Sequence, residues 1–143
     1  MKRLALTGLV LVVGLGAVLA DSDAIVQRRA LMKANGDATK IVVGMLKGAP
    51  FDLGAVQAAL KSYGEAAAKA PALFPDDSQT GDTNALPAIW ENKADVLARF
   101  AKLGQDVAAA STGIVDSASF QAQMPGVLKN CGGCHEKYRA KKT

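Results

Sequence analysis

Between Leu86 and Val107 the apolar side chains recur at helical spacing. Leu86, Ile89, Val96, Leu97, Phe100, Leu103 and Val107 share one side of a helix. Nowhere do valine and isoleucine alternate with polar residues over a run long enough to make a strand. A chain whose most regular pattern has this period, with no competing one, folds by packing helix on helix. Three more helical segments follow from the same reading. The first starts near Ser22 or Asp23, presents Arg28, Met32, Gly36, Thr39 and Val43 on one side, and ends at Gly48-Ala49-Pro50. The second opens with Phe51 before a capping Asp52, carries Leu53, Val56, Leu60, Tyr63 and Ala67 as its stripe, and stops at Pro71. The Leu86–Val107 helix itself is expected to start near Ala85, with Pro87 in its first turn, and to stop at Gly113. The last starts near Asp116 or Ser117, and Pro125-Gly126 predicts a kink in it or a separate short helix. A long connection rich in Pro, Asp, Ser, Thr and Gly, from Pro71 to about Asn84, suggests a crossover. The expected fold is all-α, an antiparallel four-helix bundle. Aromatics make up only 5% of the chain, so the helices are expected to meet through small residues.

The bundle is assigned to residues 21–143, because residues 1–20 read as a signal peptide. Met1-Lys2-Arg3 is a short positive start, Leu4 to Ala20 carries no charge, and Asp21-Ser22-Asp23 turns abruptly polar after Val18-Leu19-Ala20. The rival reading is an uncleaved anchor, but the apolar run falls just short of the ~18–20 residues a span needs and holds three glycines. Cleavage implies export to the periplasm with no stable membrane insertion afterwards. Without Lys2 and Arg3 there remain 15 basic and 13 acidic side chains, a balance that gives nucleic-acid binding no support.

The two cysteines of the chain stand in Cys131-Gly132-Gly133-Cys134-His135. On a helix these cysteines and the histidine share a face. Two thiols so spaced can form thioethers to the vinyl groups of a haem, and the adjacent histidine can reach its iron, which is the spacing of c-type haem attachment. A thioredoxin-like redox pair would need a preceding strand. Structural zinc needs four ligands, and the chain has two cysteines and one histidine. A plain disulfide would leave the histidine without a role. Haem c, one per chain, is therefore the expected cofactor, with Cys131, Cys134 and His135 as its binding residues and His135 as metal ligand.

Eight residues follow His135, the only histidine, so a second protein ligand would come from upstream and be a methionine. Met32, Met45 and Met124 are the candidates after Ala20. Met124 is too near His135 along the chain to reach the opposite face, and Met45 lies near the far end of the first helix. Met32 shares a helix face with Arg28, so one helix could offer a thioether to the iron and a guanidinium to a propionate. Both residues also have ordinary uses, as a core filler and a solvated cation. Catalysis has little support, because the histidine and both thiols are taken and no carboxylate pair stands beside a nucleophile; the chain is not read as an enzyme. Trp90, Phe100 and Tyr63 are expected in the core or the haem wall, and Asp76 and Asp77 as solvated turn residues.

With these residues in view, the chain resembles the class II cytochromes c, the cytochrome c-prime family. The likeness runs through the C-terminal haem motif with Tyr138-Arg139, Arg28 to Gly36 in the first helix, and Lys47-Gly48-Ala49-Pro50-Phe51-Asp52. Leu73-Phe74-Pro75 and Pro87-Ala88-Ile89-Trp90 complete it. The resemblance implies a haem between helices, His135 as proximal ligand, Met32 over the distal face and Arg28 at a propionate. It implies either a five-coordinate iron that binds nitric oxide or carbon monoxide, or a low-spin, methionine-ligated electron carrier. Leu31-Met32-Lys33 with Asn35-Gly36 is closer to the second branch. It also implies redox partner proteins, diatomic gases as the alternative ligands, and a homodimer formed through the first two helices. Lys137, Arg139, Lys141 and Lys142 could dock an acidic redox partner or simply complement a helix end.

Overall fold

The computed structural model describes residues 21–141; the expected signal segment and Lys142 lie outside the described residues. The elements are α1 (Asp21–Leu46), α2 (Leu53–Lys69), a single turn α3 (Ala88–Glu91), α4 (Lys93–Gly113) and α5 (Ser117–Tyr138). The four long helices form an up-down-up-down bundle, α1 on α2, α2 on α4 and α4 on α5. The antiparallel sense is set by side-chain meetings. Met45 and Asp52 lie at one end of the first pair with Asn35 and Ser62 further along. Gln57 reaches the Ser111 carbonyl while Ala67 faces Gly104, and Gln123 meets Gly113 while Gly133 meets Arg99.

The main core fills the middle with Val42, Val56, Leu60, Tyr63, Ile114, Phe120 and Met124, all nearly or wholly removed from water. Caps fix the ends. Asp52 accepts from the Ala55 amide at 3.0 Å, and Asp116 and Ser119 form a reciprocal capping box on α5. Gly48 ends the first helical segment at φ +105, where a side chain would be strained.

The structure corrects several sequence expectations. The third helical segment is divided: Pro87 starts α3, and Asn92 closes it with its amide nitrogen on the Ala88 carbonyl at 3.0 Å, before α4 restarts at Lys93. Ile89, Val96, Phe100, Leu103 and Val107 are buried as expected and the line extends to Ala110, whereas Leu97 is left half exposed. In α1 the buried line runs through Ile25, Arg28, Asn35, Val42 and Met45. Gly36 is exposed. Asn35 takes the inward place because its side chain accepts the Ser62 hydroxyl at 2.9 Å. Leu53 is exposed as well.

The α2–α3 connection joins neighbouring antiparallel helices and makes no diagonal crossover. Its length is used to cover α1, against which its two 3₁₀ turns pack. No separate short helix forms at Pro125, since α5 runs through it as one element. The proline removes one amide donor, but Phe120, Met124 and Val127, buried on both sides of it, hold the helix to the core. After α5 the chain turns extended. Ala140 donates to the Asn84 carbonyl and Leu86 to that of Tyr138, so the C-terminal tail is tied to the long connection.

Candidate functional site

α1 and α5 touch near one end, where the Gln121 side chain reaches the Met45 carbonyl at 3.4 Å. Towards the other end a cavity of about 370 Å³ separates them, within the range of small-molecule sites. α1 supplies Arg28 and Met32, and α5 supplies Cys134, His135 and Tyr138. Phe74, Ile89, Val96 and Phe100 make its apolar wall, with Arg29, Lys33 and Arg139 as further cations beside Arg28 in its lining. Four of the five residues expected from sequence thus line one cavity. The fifth, Cys131, does not line it and stands half-buried one turn earlier on α5. The three methionines separate clearly. Met45 and Met124 belong to the main core, whereas Met32 packs in a second cluster with Cys134, Phe74, Phe100 and Tyr138.

The chemistry of the donors follows from burial. Burial first, then the neighbouring Arg139 cation, pushes the His135 imidazole below its usual value, which keeps a nitrogen lone pair free at neutral pH. Both thiols are unpaired and pushed up by burial, with the neighbouring Cys134 adding to the rise at Cys131. A redox-active pair would need a thiol shifted the other way. Among the described residues no group of three or more His, Cys, Asp or Glu side chains gathers as a metal cluster.

Arg28 is buried, and its four terminal N–H groups are engaged by the long connection. Nη1 donates to the Leu73 carbonyl at 2.6 Å and to Ser78 Oγ at 2.7 Å. Nη2 donates to the Ser78 carbonyl at 3.1 Å and to Thr83 Oγ1 at 3.3 Å. Its guanidinium also lies 4.8 Å from the Phe74 ring centroid and 5.7 Å from that of Trp90. Only Nε–H remains for another acceptor. Trp90 secures the same connection through its Nε1–H on the Pro75 carbonyl, and Asp76 pairs with Lys93.

Sequence reasoning missed a second group beside the site. Asp95 Oδ2 accepts from Arg99 Nε at 2.9 Å, from Lys137 Nζ at 3.1 Å and from the Tyr138 hydroxyl. These bonds, that of Tyr138 first, hold the Asp95 carboxyl far below the usual carboxylate range. The four-residue spacing of Asp95 and Arg99 was a readable signal for their own pairing, but not for their partners on another helix. Lys137 is thereby engaged, and of the expected docking cluster Lys137, Arg139 and Lys141 are all exposed among the described residues. A larger open groove, about 830 Å³, runs between α4 and α5, but its lining mixes charges of both signs and holds no cysteine or histidine.

The residues fit a covalently attached haem: an apolar cavity is flanked by a neutral imidazole and by a thiol, with the second thiol one turn away on the same helix. Fold and site together define a haem-binding four-helix bundle. A family model described as Cytochrome C' matches residues 23–139. The chain belongs to the cytochrome c' family, and haem c, covalently bound, is its cofactor. It is 48% identical over 143 residues to a cytochrome c' of Rhodopseudomonas palustris, covering 99% of this chain and 98% of the relative. A cytochrome c-556 of Agrobacterium fabrum is 39% identical over 129 residues, 89% of this chain and 87% of the relative. The solved cytochrome c' from Rhodopseudomonas palustris superimposes with a TM-score of 0.81 at 50% identity, covering 85% of this chain and 98% of that one. The protein is a haem protein of the cytochrome c' and c-556 kind.

Proposed function

We propose that this chain is an exported, periplasmic electron carrier in which Cys131 and Cys134 hold the haem through thioethers and His135 and Met32 bind its iron. The supporting observation is that Met32, alone of the three methionines after Ala20, lines the cavity that Cys134 and His135 line. The bound haem supplies a one-electron ferric/ferrous couple. The neutral imidazole of His135 and the soft thioether of Met32 would both be competent iron ligands, and such a pair would favour a low-spin iron that needs little rearrangement per electron. Phe74, Ile89, Val96 and Phe100 give the cavity an apolar wall, which lowers the local dielectric around the couple. Arg28 contributes a buried positive charge and one free N–H toward a propionate, while its other donors stay on the connection. Export is supported by the charge and apolarity pattern of residues 1–20. Among the described residues no helix is long and apolar enough to cross a membrane.

The second reading, a five-coordinate iron that takes nitric oxide or carbon monoxide, is favoured by the match to a relative named cytochrome c'. In that case Met32 only walls the pocket. Two measurements on haem-loaded protein separate the readings. Peptide mapping by mass spectrometry is expected to find the haem on the peptide that contains Cys131 and Cys134. Met32→Ala is expected to convert slow or absent carbon monoxide binding into fast binding. Equal, fast binding by the parent and the variant would exclude Met32 as ligand.

A further inference from the structure

The haem-attachment segment is weakly anchored by its own composition. Between Cys131 and Tyr138 only Tyr138 is buried, and Gly132 and Gly133 are exposed and poor helix formers. Two glycines therefore stand immediately before the residues whose orientation matters most. From α4, two charged side chains reach this segment on both sides of Cys134 and His135. Arg99 Nη1 donates to the Gly133 carbonyl at 3.2 Å. Asp95 Oδ2 holds Lys137 and the hydroxyl of Tyr138. The Arg99 Nε–Asp95 bond joins the two supports into one unit, and the guanidinium lies 5.7 Å from the Tyr138 ring centroid.

We infer that Asp95 and Arg99 are positioning residues for the haem-attachment segment, gripping it at Gly133 and at Lys137–Tyr138 so that Cys134 and His135 keep one rotation and one height on α5. The inference rests on His135 being the iron ligand. A helix held at points about one turn apart can neither slide nor rotate between them. An exposed ion pair within one helix would contribute little by itself. This one differs because its arginine also holds a backbone carbonyl of the motif, and its aspartate holds a buried tyrosine on another helix. A fork is needed to serve Asp95 and Gly133 together, and a lysine ammonium does not present one.

The test uses haem-loaded protein and four variants: Asp95→Asn, Arg99→Ala, Arg99→Lys and Asp106→Asn. Asp106 is the matched control, since it pairs with Lys102 on its own helix and accepts at 2.8 Å from Asn130 of α5, which precedes the Cys131–His135 motif. The readouts are the hyperfine-shifted proton signals of the His135 ring in the ferric protein, which report its orientation, and amide exchange at residues 134–138. Asp95→Asn, Arg99→Ala and Arg99→Lys are each expected to move the histidine signals and to speed exchange about tenfold, with Asp106→Asn leaving both as in the parent. Arg99→Lys matching the parent would reduce the role to charge, and Asp106→Asn matching Asp95→Asn would reduce it to general bundle stability. Either result overturns the inference. Absence of shifted histidine signals in the parent would instead overturn His135 ligation, and the inference with it.

Discussion

Arg28 and Met32 lie four residues apart on α1, and that spacing was enough to place both on the cavity's side of the helix. What each does there was not equally legible. Met32 faces the cavity because the helical period carries it there. Arg28 is recruited by Leu73, Ser78 and Thr83, whose positions 45 to 55 residues further on depend on how the long connection settles over α1. No local pattern encodes that meeting. Arg28→Ala is expected to lower the denaturation free energy by about 2–3 kcal/mol, because the buried donors are removed while their acceptors on Leu73, Ser78 and Thr83 are left unpaired. Trp90 fluorescence should change with it, since the indole shares the connection and lies against the guanidinium. Arg28→Lys should recover less than half of the loss, because an ammonium cannot serve four acceptors in a plane. Full recovery by lysine would mean that only the charge matters.

The type of every long helix was readable from apolar period, caps and stops, and Asp52 and Asp116 cap where sequence placed them. Boundaries were less readable where two local preferences compete. Asn92 interrupts a segment whose apolar residues continue on both sides: its backbone leaves the helical region, and its side-chain amide and its N–H both donate to the Ala88 carbonyl. Pro125 shows the reverse, a strong local breaker overridden by packing on either side. Replacing Pro125 by alanine restores an amide donor inside α5 and is expected to stabilise the protein by about 1–2 kcal/mol in chemical denaturation. Phe120→Ala removes a fully buried ring that packs on Phe51 and should cost about 3–5 kcal/mol. A destabilising Pro125→Ala would show that the proline shapes α5 usefully.

For the whole molecule, sequence yielded the bundle and the chemistry at its C-terminal end, but not the cavity, which exists because α1 and α5 part there and the connection folds across the opening. Charge also acts at this scale. Hydrogen bonds from Lys33 and Lys40 draw the Asp37 carboxyl down to about 2, and Asp95, Asp106 and Asp116 are shifted in the same direction by their partners. A carboxyl that is more acidic folded than unfolded adds stability above its unfolded value, near 4, and loses it as the pH falls through the folded value. Denaturant midpoints should therefore fall steadily from about pH 4 towards pH 2, less so for Asp37→Asn and in high salt. A flat profile over that window would contradict these pairings. Thioether ligation from Met32 is read out by the absorption spectrum of the haem-loaded protein, oxidised and reduced, with and without carbon monoxide. It predicts the weak far-red charge-transfer band of a sulfur-ligated ferric haem, and sharp reduced bands that carbon monoxide leaves largely in place. Broad reduced bands that shift at once on adding carbon monoxide would contradict it and make the protein a gas binder with an open iron.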